Sequence, residues 1–421
     1  MTPRMPLRLL TFFSLLALVL AACGGTEGAP VTPTEPAGGA GSGAATAPAS
    51  PGAGGEDPII VGAAVHLTGW MAAYDTPPLM GARLAVKQIN EAGGVLGRPL
   101  QLIELDGKTD QATVGNAAIQ LIEQGAEVLI APCDFDFGAP VGRAAQDAGI
   151  VGLSTCASSP LYGSEALGDM QFTVSMWNQT MSAAAAQFAC VDMGWTTGAT
   201  IVDTTTEYTQ SLGEYFVDAF EEMGCTIVNE DTYLQGDMQI DAQIQRLQGL
   251  PEPPQVILLS TNMPDYAMMV RELRAAGFDT PLMGGDAMDT VEFYPAVGPD
   301  AGNNIFISTH SFVGPGVGPA MDEFLELYEA EYGGPPETAF AVMGWDTVNI
   351  IAESIERAGT TDGPALVQAM EGVTFDLLSG SLTWSDAASG HAPDKEAFIL
   401  EVKNGEPTFV KKIKPEYVPP M

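Results

Sequence analysis

Ile59-Ile-Val-Gly-Ala-Ala-Val65 is followed by Gly81-Ala-Arg-Leu-Ala-Val-Lys-Gln-Ile-Asn-Glu-Ala-Gly-Gly-Val-Leu-Gly-Arg98 and then by Leu100-Gln-Leu-Ile-Glu-Leu-Asp106. The first run is apolar throughout and rich in β-branched residues, as in a strand buried on both faces. Leu79, Ala82, Val86 and Ile89 then recur at helical spacing, and Gly93-Gly94 ends that helix. Leu100–Asp106 is the next strand. Strand, helix and strand of these lengths form a crossover unit, which places the two strands parallel.

The rhythm continues outward. Val114, Ala118 and Leu121 share one helix face, stopped at Gly125. A strand at 127–132, a helix at 139–148 and strands at 150–154 and 171–175 follow. A second series starts after Gln179, with helices near 180–193, 209–223, 239–248, 265–276 and 289–296. They alternate with strands at 199–203, 225–229, 255–260, 281–284 and 304–309. Helices at 318–332, 338–357 and 363–371 precede strands at 381–384, 397–403 and 407–413. Asn404-Gly405 between the last two is a hairpin signal. The expectation is an α/β protein of two lobes, each a parallel sheet flanked by helices. Ligands of such sheets bind beyond the carboxyl ends of the strands. Two sheets in series therefore predict a cleft that closes by hinge motion.

Upstream, Arg4 and Arg8 precede an apolar stretch from Leu9 to Leu20, and Leu20-Ala-Ala-Cys23 closes it. A positive flank, a short apolar core and small residues read as a secretory signal over 1–22. The tetrad resembles the bacterial lipobox, which implies diacylglycerol on Cys23. Residues 24–57 carry one Val and no Leu, Ile, Met or aromatic, so they cannot bury enough apolar surface to offset their ordering entropy. Residues 23–57 read as a lipidated cysteine and a tether, and the chain as extracytoplasmic and anchored to the cell membrane. That anchor is the one expected membrane contact.

The whole chain carries 16 Lys and Arg against 53 Asp and Glu, a formal net charge of −37. Nucleic acid is excluded as a partner, since phosphate recognition needs clustered cations. Anionic lipid is equally unsuited. Beyond Cys23, the four cysteines Cys133, Cys156, Cys190 and Cys225 permit disulfides in an exported protein. The pairs 133–156 and 190–225 each join neighbouring elements; free buried thiols are the alternative. No nucleophile elbow and no His-Glu-x-x-His motif occurs, and the three histidines stand far apart. Neither a metal, nor a cofactor, nor catalysis is expected.

Ile60-Val-Gly-Ala-Ala-Val-His-Leu-Thr-Gly69, Tyr74, the 81–98 stretch, Ala157-Ser-Ser-Pro160, Gly284-Gly-Asp286 and Gly344-Trp-Asp346 together carry a resemblance. From Ile60 to about Val410 the chain resembles the branched-chain amino-acid-type (leucine/isoleucine/valine-binding) solute-binding proteins of ABC importers. The resemblance implies the type I periplasmic fold, with three interlobe passages near 175, 310 and 385. Lobe 1 is then 58–175 with 311–385, and lobe 2 is 176–310 with 386–415. It further implies a monomer that captures a small polar solute, an amino acid or a related amine or amide, and delivers it to a permease and its ATPase. A ligand-presenting sensor is the alternative, and an extracytoplasmic enzyme a weaker one.

By resemblance, Cys156, Ala157 and Ser158 hold a ligand carboxylate after the strand at 150–154. Asp286 pairs with a ligand ammonium, or else caps the helix at 289. Tyr74 and Tyr208 match pocket positions. Trp70 and Trp177 lie on post-strand loops, where lobe packing is as reasonable a role. Thr261 and Asn262 replace an aromatic and suggest a more polar wall.

The chain departs from the family at Cys133-Asp-Phe-Asp-Phe137, where small hydroxyl residues are usual. Three readings stand open. The acids cap the helix that follows, or one faces a cationic or N–H-rich ligand, or the segment shifts. The favoured arrangement turns Asp134 or Asp136 into the cleft, with Phe135 or Phe137 as an apolar wall.

Overall fold

The computed structural model describes residues 57–314, 317–336 and 338–421. The signal, the lipidation at Cys23 and the tether lie outside the described residues.

The first half runs β1 (Ile59–Val65), α1 (Ala72–Glu91), β2 (Leu100–Asp106), α2 (Gln111–Glu123), β3 (Val128–Ala131), α3 (Phe135–Ala148), β4 (Val151–Ser154), α4 (Ser164–Leu167) and β5 (Gln171–Thr173). Its five strands pair in parallel in the order β2-β1-β3-β4-β5. The second half runs α5 (Asn178–Gln187), β6 (Thr197–Asp203), α6 (Glu207–Glu222), β7 (Thr226–Tyr233), α7 (Asp241–Gln248), β8 (Val256–Ser260), α8 (Asp265–Ala275), β9 (Leu282–Gly284), α9 (Phe293–Ala301) and β10 (Ile305–Thr309). The chain then adds α10 (Pro319–Tyr332), α11 (Ala339–Ala358), α12 (Gly363–Met370), β11 (Thr374–Leu377), β12 (Gly380–Trp384), β13 (Pro393–Asp394), β14 (Ala397–Lys403) and β15 (Glu406–Ile413). The last two strands extend the second sheet, giving β15-β14-β10-β9-β8-β6-β7. The predicted hairpin is there, with Asn404 and Gly405 both at positive φ, 55° and 80°.

Strands β3, β4, β8, β9 and β10 are buried along their whole length, which explains their unbroken apolar sequences. The helix in the opening stretch begins at Ala72, ahead of its expected start, and runs through Pro77 and Pro78. Packing overrides the prolines' poor helical fit here. Helix α11 presses so closely that a Cβ at Gly81 would collide with the Ala341 carbonyl, and one at Gly344 with the Pro78 carbonyl. Both glycines are therefore needed for the close approach of two helices.

The first passage between the sheets follows β5 and the second follows β10. The third comes at Lys395-Glu396, not near 385 as the resemblance implied. Residues 386–394 stay with the first half: His391 stacks on Phe172 with ring centroids 4.1 Å apart, and β13 pairs with β12. Both expected disulfides are formed, Cys133–Cys156 and Cys190–Cys225.

Candidate functional site

Strand order reverses between β1 and β3 in the first sheet and between β6 and β8 in the second. Crevices beyond strand carboxyl ends at such reversals receive ligands in open α/β sheets. The segments that leave these four strands, joined by those after β7 and β9, line two spaces. Met71, Tyr74, Cys133 and Asp134 from the first half meet Tyr208, Asn262 and Asp286 from the second around an inner cavity of ≈ 10 Å³. Trp70, Asp136 and Phe137 face Thr206, Met238 and Asp265 across an outer groove of ≈ 540 Å³. The same three segments, 70–71, 134–137 and 262–265, contribute to both.

Tyr74 links the halves. Its hydroxyl accepts from Met263 N at 2.8 Å and donates to Ala287 O at 3.2 Å. Its ring sits edge-on to Phe340 and Trp70. Burial pushes the Tyr74 phenol far up, so it stays neutral and serves as donor and acceptor. Opposite, the Tyr208 hydroxyl donates to Asp286 Oδ1 at 2.8 Å, while Asp286 Oδ2 lies 2.8 Å from His310 Nε2. Asp286 opens a short 3₁₀ turn without capping it, so the capping reading is set aside. Gly285 is needed for Tyr208, because a Cβ there would collide with its hydroxyl.

The two acids of 133–137 divide the roles left open by the sequence. Asp134 caps α3: its Oδ1 accepts from Asp136 N at 2.8 Å and Phe137 N at 3.3 Å. It also lines the inner cavity while 5 % exposed. Burial first, and then the charges of Asp136 and Glu207, push its carboxyl up to about 8. Asp136 reaches across to accept from Glu207 N at 2.9 Å, at the start of α6. A carboxylate on a helix N-terminus is favourably placed. Burial raises the Glu207 carboxyl as well. Phe137 walls the outer groove, 5.7 Å from Trp70 between centroids. Phe135 instead packs against the apolar core of the first half.

The segment expected to hold a carboxylate adjoins the inner cavity without lining it. Ala157 N donates to Ser154 Oγ, and Ser158 Oγ donates to Cys156 O. Neither Cys156, nor Ala157, nor Ser158 lines the inner cavity. The loop after β4 reaches the cavity wall through Cys156, whose disulfide partner Cys133 lines the cavity. Trp177 is likewise structural: it is buried, and its Nε1 donates to Tyr162 O at 3.4 Å. Thr261 is buried with its hydroxyl unpaired, whereas Asn262 lines the cavity.

Sequence reasoning missed four residues that shape the site. Asp75 is fully buried, and it accepts from His66 N at 2.7 Å and Cys133 N at 2.8 Å. It thereby holds the ends of β1 and β3 together, and burial lifts its carboxyl to about 7. His310, Phe340 and Asp265 are the others. Only the topological rule, applied to the strand ends, pointed at Asp265. His66 does not act on the cleft directly: its Nδ1 accepts from Thr109 N, and burial lowers it to about 4, so it is neutral at pH 7.

Residues 58–407 match the family model described as periplasmic binding protein. The chain is 24% identical over 342 residues to Leu/Ile/Val-binding protein homolog 3 of Brucella melitensis, covering 81% of this chain and 90% of that protein. It is 22% identical to the leucine-, isoleucine-, valine-, threonine- and alanine-binding protein of Pseudomonas aeruginosa, covering 78% and 86%. Among solved structures, LivJ of Streptococcus pneumoniae in complex with isoleucine superposes with a TM-score of 0.77 at 21% identity, covering 85% and 100%. A solute-binding protein from R. palustris in complex with benzoate gives 0.74 at 21% identity, covering 86% and 98%.

Proposed function

The chain belongs to the periplasmic binding protein family, and from that premise we propose that it captures a small polar solute outside the cytoplasm and delivers it to an ABC permease and its ATPase. The observation that carries this reading is a cavity closed between a parallel sheet and a mixed one, with Tyr74 of one half hydrogen-bonded to Met263 and Ala287 of the other. A solute is enclosed when the halves meet and released when they part. The relatives named above support import as the purpose, though they bind solutes as different as isoleucine and benzoate. Family does not fix the ligand. Nothing in the cleft is assigned a catalytic role.

The two halves act as lobes of a monomer, joined by the passages after β5, after β10 and at Lys395-Glu396. Cys23 bears the lipid and residues 24–57 form the leash that lets the folded body meet its permease. Cys23→Ser abolishes lipid labelling and releases the protein from membranes; a Ser variant that remains anchored in the same mature form removes the lipoprotein reading.

A thermal-shift screen of amino acids, amides, urea, polyamines, nucleobases and aromatic acids tests solute capture. A ligand that binds only the closed state stabilises by RT ln(1 + [L]/Kd), so ~100-fold excess over Kd adds roughly 2.7 kcal/mol. No stabilisation by any solute in such a screen, with no change in small-angle scattering, counts against capture.

A further inference from the structure

Acidic residues surround both spaces of the cleft, and among the described residues no Lys or Arg lines either one. Two of the carboxylates have an oxygen still to satisfy. Asp265 is 1 % exposed and lines the outer groove. Its Oδ2 accepts from Tyr233 Oη and Gly236 N, but its Oδ1 is buried with no hydrogen-bond partner. Asp134 uses only Oδ1, for the cap of α3. A buried polar atom left unpaired is costly, so Asp265 Oδ1 is where a ligand supplies a missing partner, while Asp134 Oδ2 is free to accept at the cavity wall. Two acceptors on carboxylates call for N–H donors that carry positive charge.

The outer groove adds apolar surface of the right kind. Trp70 and Phe137 meet at 76° and 5.7 Å, forming an aromatic corner beside Asp136. Such a corner takes methylene chains on its faces and favours a nearby cation. A solute carboxylate would meet Asp134 and Asp286 in the inner cavity.

We infer that the solute is an elongated organic cation, an aliphatic diamine or polyamine, with one ammonium in the inner cavity against Asp134 and a second in the outer groove against Asp265. This rests on the solute-capture reading and names its substrate class. The hydrocarbon between the ammonium groups crosses the Trp70–Phe137 corner. Asp286, already engaged by Tyr208 and His310, shapes the inner end.

Isothermal titration at physiological salt tests the assignment with 1,4-diaminobutane, spermidine, butylamine, leucine, acetamide and benzoate. The diamine and spermidine bind saturably at one site per chain, and butylamine, with one charge, binds at least roughly tenfold more weakly. Asp134→Asn weakens the diamine by roughly ten- to a hundredfold, the worth of one charge-assisted hydrogen bond. Asparagine caps a helix as well as aspartate does, so the variant keeps its fold, which circular dichroism checks. Asp265→Asn gives a second, independent loss. If leucine, acetamide or benzoate binds and the amines do not, the cation is excluded while solute capture stands. If the amines bind the two variants as tightly as the parent, they adhere to the acidic surface and the inference falls. If none of the six binds, the inference also falls, and the wider solute screen alone decides whether the cleft captures anything.

Discussion

The carboxylate of Asp136, in the first turn of α3, accepts the backbone N–H of Glu207, in the first turn of α6, at 2.9 Å. The two helices belong to different halves, so the bond exists only when the cleft is shut. It is a latch made by the protein itself. Asp136→Ala removes a hydrogen bond to a charged group, worth ~1.5–3 kcal/mol. The ligand-free variant shifts toward the open form by about tenfold or more, a larger radius of gyration by small-angle scattering being the measurement. An unchanged profile would mean that the other contacts across the cleft, those of Tyr74 and Asp289 among them, suffice to hold the halves.

Asp134 sets a pH signature. Its carboxyl, pushed up to about 8, is mostly protonated at pH 7 in the empty cleft. An ammonium beside it favours ionisation, so amine binding near pH 7 releases up to about one proton. Calorimetry in buffers of different ionisation heat reads this directly, and Asp134→Asn abolishes it. Stability of the ligand-free protein follows the same sign. A carboxyl raised above its unfolded value stabilises fully at pH below about 4, and that contribution is lost as pH rises through the raised value. Melting temperature of the empty protein therefore carries a downward component between pH 4 and 8 from Asp134 and from Asp75, lifted to about 7.

Lys395 ties passages together. Fully enclosed on the third, its Nζ donates to Val174 O at the first passage at 3.2 Å, and to Ser379 Oγ at 2.6 Å. Burial lowers it to about 8, against the opposing pull of buried Asp346. Lys395→Met removes the charge that opposes the burial of Asp346 and the hydrogen bonds to Val174 O and Ser379 Oγ, and costs about 1.5–3 kcal/mol, measured by urea unfolding. Adding Asp346→Asn recovers a large part of that loss; no recovery would place the cost in packing.

The two disulfides should separate stability from binding. Cys190–Cys225 closes 35 residues far from the cleft, and its removal as a double Ser variant costs about 2–4 kcal/mol. Cys133–Cys156 spans only 23 residues, but Cys133 lines the inner cavity. Its double Ser variant loses affinity for solute beyond what its melting temperature explains. Equal affinity in that variant would make the bridge purely structural.

Much of this protein was legible in its linear order. The period of apolar residues is a local property, and it located nearly all strands and helices, the hairpin at Asn404-Gly405 and the parallel pairing. Gly81 and Gly344 stood out as sequence, and the close crossing of α1 and α11 gives their reason. Tyr74, Tyr208, Asp134, Asp286 and Asn262 do converge on one cavity. Cys156, Ala157 and Ser158 do not, although they follow a strand just as the others do.

That difference lies beyond local sequence. Which loops face the cleft depends on strand order and on how the two halves meet, and both are set by pairing between segments far apart in the chain. The third passage moved to Lys395 because His391 stacks on Phe172, a contact across more than two hundred residues that no periodicity announces. The role of each acid in 133–137 was undecided for the same reason. Charge and spacing placed two carboxylates after a strand; only the arrival of α6 from the other half gave Asp136 its partner and left Asp134 to the cavity.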